Sequence, residues 1–174
     1  MNALAPPDHP ATIDAGLFKA TFRRLVGGVS VITTGSGANR TGLTATSVSA
    51  LSAEPPTLTV NINRTSSTWD VLAREGRFGV NFIGADQKAV AERFSGFGGL
   101  KGADRYQGAD WTTALTGAPL LVGALAALDC EVEEAIERHS HVILIGRIRA
   151  TLLGDGTGAL LYGEGGYRLT QPVA

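Results

Sequence analysis

What most constrains this 174-residue chain is its rhythm: short runs of β-branched and apolar residues, each cut off by Gly, Pro or a polar turn, with little helix between them. VSVITT (29–34), LTATSVSALS (43–52), TLTVNIN (57–63), RFGVNFI (77–83), residues 124–136 and 141–153, ALLYG (159–163) and the segment around Tyr167 read as strands. Helical spacing is confined to three stretches. From Asp14 to Leu25, Phe18, Phe22 and Leu25 recur at i, i+4 and i+7; Asp14 can cap the start, and Gly27-Gly28 stops the helix. STWDVLAREG (67–76) has Ser67 and Asp70 at capping-box spacing, and ADQKAVAERF (85–94) puts Ala89, Val90 and Phe94 on one side. Parallel neighbours need crossovers of a dozen or more residues, usually helical, and few strand pairs here have one. The expected fold is mainly β and antiparallel. The strands are too long and too evenly apolar for a small open sheet, which favours a closed or nearly closed barrel. One domain over 14–174 is expected, preceded by a Pro- and Ala-rich flexible arm at 1–13.

Charge and cysteine content exclude several functions. Lys plus Arg number 15 against 16 Asp plus Glu, so the net charge of −1 offers no basic field for nucleic acid. A single cysteine, Cys130, cannot form an internal disulfide framework or a multi-thiolate zinc site, and in its apolar run it reads as a small core residue. No stretch has the length and apolarity of a signal peptide or a membrane span, so a cytoplasmic protein without membrane attachment is expected. Charged residues are only 18% of the chain, which suggests that a partner subunit covers some of the surface. His139 and His141 would share one face of a strand, but no carboxylate or cysteine stands at a ligand interval, so no metal is expected. Glu131, Glu133, Glu134 and Glu137 read as a solvated face. Gly35-Ser36-Gly37 has Arg40 where a dinucleotide fingerprint needs its third Gly, and no helix follows Gly154, Gly156 and Gly158. There is neither a phosphate loop nor a Gly-x-Ser-x-Gly nucleophile elbow.

Two segments resist a purely structural reading. TATSVSALS (44–52) puts hydroxyls on both faces of an extended run, where a core strand would carry Val or Leu on its inward face. Small polar residues there let a flat ligand approach the backbone; the plain alternative is a weakly packed edge strand. In NRTSSTWD (63–70) a helix begins at Ser66, Ser67 and Thr68, a combination that suits an anion and equally an ordinary N-cap. Together they suggest a ligand with a planar polar ring and a phosphate, which describes a flavin nucleotide.

These residues also carry a resemblance. FKATFRRLVGGVSVITT, GLTATSVSALSAEPPTLTV, SST with RFGVNFI, the Gln87, Arg93 and Phe94 positions, DRYQGADW, GAPLLVGALAALDCEV, His141 with VILIGRI, and LLYGEGGYR follow in order from about residue 15 to 169. The chain resembles the flavin reductase family of FMN-binding split barrels, the reductase components of two-component flavin-dependent monooxygenases. The resemblance implies a Greek-key split β-barrel that forms a homodimer, with flavin near the subunit interface. It implies oxidation of NADH or NADPH and reduction of FAD or FMN, with diffusible reduced flavin passing to a separate oxygenase. No Arg pair is poised for a 2′-phosphate, which favours NADH. By the same resemblance Thr44, Ala45, Thr46 and Ser47 lie along the flavin ring. Asn63, Ser66, Ser67 and Thr68 hold the ribityl and phosphate region, and Phe94 and Arg105 stand near the cofactor. His141 is the catalytic and nicotinamide-side residue, and Tyr167 contacts the nicotinamide or the flavin. The family's usual Gly-Asp before the histidine is here His139-Ser140, which removes a flexible residue and a carboxylate. Two other readings on the same residues are a non-catalytic flavin-binding protein and an oxidase of the pyridoxamine-phosphate type.

Overall fold

The β-branched runs become strands, and every pairing between them is antiparallel. The computed structural model describes residues 13–170, so most of the expected arm lies outside the described residues. In chain order come α1 (Ala15–Phe22), β1 (Gly27–Gly28), β2 (Ser30–Thr34), β3 (Thr41–Ala45), β4 (Ser49–Ala53), β5 (Pro56–Asn63) and α2 (Ser67–Glu75). Then follow β6 (Arg77–Phe82), α3 (Lys88–Phe94), β7 (Trp111–Thr112), β8 (Leu120–Leu121), β9 (Ala126–Arg138), β10 (His141–Leu153), β11 (Leu160–Gly163) and β12 (Gly166–Leu169). The main sheet runs β3-β2-β6-β9-β10-β5-β4; β1-β11-β12 form a second sheet and β7-β8 a short ladder. Among the described residues no helix is long and apolar enough to cross a membrane.

The expected single strand over 43–52 is two strands, β3 and β4, on opposite edges of the main sheet. The chain passes between them through Thr46, Ser47 and Val48 alone, a reach of roughly 14 Å at full extension. The sheet must therefore curl until its edges approach. Within this link Ser47 is held to β5: its hydroxyl accepts the Asn61 N–H at 3.1 Å and lies 3.2 Å from the Asn61 carbonyl, to which it can donate. This is the split-barrel arrangement.

The interior is filled by Ile32, Val60, Ile62, Phe78, Val80, Cys130 and Leu144, among others. Val31 points the other way, into a second cluster with Val90, Ala91, Phe94, Tyr106 and Leu160. Alternate residues of β2 are thus buried on both faces, which explains its unbroken apolar reading. Cys130 is a core residue, its thiol pushed up to about 12 by burial and secondarily by Asp129. The small sheet is tied to the large one through Val29, whose N–H donates to the Leu160 carbonyl at 2.9 Å and whose carbonyl accepts the Ile83 N–H at 3.1 Å.

The helices depart from the sequence pattern in detail. Asp14 caps α1 by accepting the Leu17 N–H at 2.9 Å, but the helix ends at Phe22 because Gly27-Gly28 are drawn into pairing with Tyr162 and Leu161. None of its residues is buried; Phe18 and Phe22 stay 54% and 56% exposed, with ring centroids 4.5 Å apart. In α2 the cap is Ser66, not Ser67. In α3 it is Ala91 rather than Ala89 that turns inward with Val90 and Phe94.

Candidate active site

A cleft of about 400 Å³ opens beside β3. Val29 and Thr44–Thr46 line it from the sheet; Glu92, Ser95 and Phe97 line it from α3 and the loop that follows. Tyr162, Gly165, Gly166 and Tyr167 line it from the β11-β12 hairpin. As a terminal strand, β3 pairs only with β2, so backbone groups on its other edge have no strand partner. Tyr162 and Tyr167 meet edge to face, 5.4 Å between centroids. Desolvation is the main cause that raises the Tyr167 phenol above its ordinary value, opposed by a hydrogen bond with Ser95, so Tyr167 is protonated at neutral pH. Lys88 stands 5.7 Å from its ring centroid and pairs with Glu92 at 3.1 Å.

The cleft wall is fixed from behind. The Thr44 hydroxyl donates to the Ala91 carbonyl at 2.7 Å, joining β3 to α3. Phe94, only 1% exposed, packs on Tyr106 and Trp111 with centroids at 5.0 and 5.5 Å. Its ring lies against Gly42, where a Cβ would come within 2.6 Å of it and 2.4 Å of the Ile32 carbonyl. Arg105 donates to the Leu100 carbonyl at 3.0 Å and to the Gly42 carbonyl, and Tyr106 donates to the Thr41 carbonyl at 2.6 Å. Burial pulls the Arg105 guanidinium below its ordinary value and pushes the Tyr106 phenol up. These side chains bolt the segment after α3 to β3.

The start of α2 is organised locally. Asn63 Oδ1 accepts from the Thr65 N–H at 2.9 Å and the Thr65 hydroxyl at 3.0 Å, and Ser66 accepts the Thr68 N–H at 3.2 Å. Thr68 is buried, 3.3 Å from the Thr41 hydroxyl, while Ser67 is exposed. His141 opens β10 directly opposite Asn63, and its Nδ1 lies 2.9 Å from the Ser140 hydroxyl. A groove of about 430 Å³ runs alongside, lined by Arg64, Thr65, Trp69, Asp70, His139 and Ser140. His139 has φ +53°, a left-handed conformation, which accounts physically for the Gly expected there by resemblance.

Comparison with known proteins decides the family. Residues 22–171 match the model of the flavin reductase like domain. This chain belongs to that family. The flavin reductase chain is 36% identical over 160 residues to "FMN reductase (NADH) RutF 2" of Methylorubrum extorquens, covering 92% of each sequence. It superposes with a TM-score of 0.83 and 29% identity on BorF, the flavin reductase component of a bacterial two-component tryptophan halogenase, covering 92% of this chain and 100% of the other. The NADH:FAD oxidoreductase SgcE6 of Streptomyces globisporus, in complex with NAD and FAD fragments, gives 0.83 at 26% identity over 99% of both chains.

On this flavin reductase fold the expected site residues fall into two neighbouring places. Thr44, Ala45, Thr46 and Tyr167 share the cleft. Asn63, Ser66, Ser67, Thr68 and His141 gather where α2 and β10 begin. Ser47 joins the two, bonded to Asn61 two residues before Asn63. Phe94 and Arg105 are not among the cleft-lining residues and act on β3 from behind. Sequence reasoning missed Val29, Glu92, Ser95, Phe97 and Tyr162. Tyr162 was within reach: Glu164 and Gly165 both have positive φ, as a two-residue type I′ turn requires. YGEGGY read as such a hairpin sets Tyr162 opposite Tyr167.

Proposed function

We propose that this protein is an NADH:flavin oxidoreductase that reduces FMN or FAD and passes the reduced flavin to a separate oxygenase. The observation that carries the reading is the cleft over Thr44–Thr46, an unpaired strand edge facing two tyrosines, in a chain of the flavin reductase family. The relative named an NADH-dependent FMN reductase and the neighbour from a two-component halogenase support the donor and the two-component arrangement.

The residues present fit a flavin. A planar ring with polar edges matches a strand edge that offers backbone groups beside small side chains, and an anion matches the exposed Ser67 at the first turn of α2. Bound flavin supplies the hydride acceptor and NADH the donor. The chain's own part is to orient both and to stabilise charge. Backbone N–H groups along 44–47 meet negative charge on the ring, and the protonated Tyr167 phenol offers a further donor. His141, with Nδ1 engaged by Ser140, has Nε2 left to orient the nicotinamide or to move a proton.

We propose further that two copies associate through α1, whose exposed Leu17, Phe18 and Phe22 form an apolar stripe. The proposed compartment is the cytoplasm, where NADH is regenerated. The test is purified protein with NADH and excess FAD, FMN or riboflavin, followed by loss of NADH absorbance. Many turnovers per protein are expected. Flavin binding without turnover would leave a flavin-binding protein and remove the reductase. Sedimentation is expected to show a dimer, and a monomer would remove the role given to α1.

A further inference from the structure

Phe97 has no place in the packing of this molecule. It is 72% exposed and belongs to neither buried cluster, yet it is one of the residues lining the cleft. Its surroundings are unusual in a second way. Gly96, Gly98 and Gly99 all hold positive φ, at +87°, +73° and +74°, and a Cβ on any of them would meet nothing within 4 Å. These glycines therefore serve backbone conformation rather than close packing. The stretch is short and anchored at both ends: α3 ends at the buried Phe94, and Arg105 holds the Leu100 carbonyl at 3.0 Å. Between the anchors lie five residues, three of them glycine, carrying one large aromatic ring at the mouth of the cleft.

An exposed phenyl ring gains nothing from water, and it gains most by lying on another flat ring. We propose that Phe97 is a flavin contact that lies over the ring seated on Thr44–Thr46 and covers its solvent side until the nicotinamide displaces it. The inference rests on the flavin reading of the cleft and adds to it the residue that closes the open face. The glycines on either side give the ring the short travel needed to admit and release a ligand that must leave after reduction. Because the contact is with the ring, it is indifferent to the flavin's phosphate.

The test uses the full chain with Phe97→Ala, Phe97→Leu and Phe97→Trp, each titrated with FMN and riboflavin, assayed for NADH turnover and run through sedimentation. Exposure of the side chain means that none of the three should disturb folding. Phe97→Ala and Phe97→Leu are expected to weaken both flavins equally, by roughly 3- to 10-fold, the size of one aromatic contact. Phe97→Trp is expected to restore binding, and the KM for NADH at saturating flavin is not raised in Phe97→Ala or Phe97→Leu, where no ring competes with the nicotinamide. Unchanged flavin affinity in Phe97→Ala overturns the inference. So does a raised NADH KM with normal flavin binding, which would make Phe97 a nicotinamide contact. A shift to monomer with normal flavin binding would make it a subunit contact, with the same consequence. If the unaltered protein binds neither flavin, the functional reading itself fails and this inference falls with it.

Discussion

The cleft over β3 and the groove at the start of α2 stand on one sheet, yet they are held by different means. The cleft is positioned by long-range contacts: Thr44 to Ala91, Phe94 on Gly42, Arg105 to the Gly42 carbonyl. The groove is positioned mainly by turns a few residues long: Asn63 to Thr65, Ser66 to Thr68, Ser140 beside His141. In the proposed assignment, the surface for a rigid planar ring is backed by core, whereas the groups for a flexible phosphate and a transient nicotinamide sit on local caps. Damage to the first region should therefore spread to the whole fold, and damage to the second should stay with one ligand.

The largest effect is expected from Phe94→Ala. Removing a fully buried phenyl should cost about 3–5 kcal/mol, read as a lowered Tm, and should weaken FMN and riboflavin alike as α3 loosens from β3. A variant that keeps its Tm but loses flavin would instead make Phe94 a direct contact. Ser67→Ala attacks the other region. A hydrogen bond to a charged group contributes about 1.5–3 kcal/mol, so FMN binding should fall at least roughly tenfold with riboflavin and Tm unchanged. Equal losses for both ligands would take the phosphate away from α2. Thr68→Ala is a poor substitute because Thr68 is buried against Thr41. His141→Ala should be smaller again. Loss of one neutral hydrogen bond of about 1 kcal/mol predicts a several-fold drop in kcat/KM for NADH with flavin affinity retained. Unchanged NADH kinetics would remove His141 from the site.

How much of this was readable from sequence follows the same division. The chain ends that frame the groove were legible because caps and turns are local: Ser66–Thr68 announce a helix start, and His141 opens a strand where the β-branched run begins; the lining residues Arg64, Thr65, Trp69, Asp70, His139 and Ser140 were not among the predicted site residues. The hydroxyl-rich segment 44–52 stood out by its composition, and Thr44–Thr46 do line the cleft, but its form was not legible. Nothing local in TATSVSALS reveals that its halves pair at opposite edges of the sheet, because that break depends on β2 and β5, which claim each half. Phe94 and Arg105 could be placed near β3 only by folding, since their partners lie 52 and 63 positions away at Gly42. Gly27-Gly28 carry no β signal at all; β11 makes them a strand. The periodicity of α1 correctly marked an apolar side but could not say that the chain leaves it uncovered.

The smallest expected effect sharpens the contrast most. His139 holds φ +53° in the turn between β9 and β10, where an L side chain crowds its own carbonyl. His139→Gly relieves that crowding at the cost of extra freedom in the unfolded chain, so the net gain should be only about 0.5–1 kcal/mol. Thermal unfolding of the two proteins side by side reads it. A raised Tm means that the turn carries strain the rest of the hairpin overcomes, at a residue whose side chain lines the groove beside Ser140. NADH kinetics of the same variant then separate the two roles. A higher KM alongside a higher Tm makes the imidazole of His139 a contact for the nucleotide, and stability is being given up locally for binding. A lowered Tm would show that the left-handed backbone costs nothing there, and the groove would join the cleft as a region set by packing rather than by its turns.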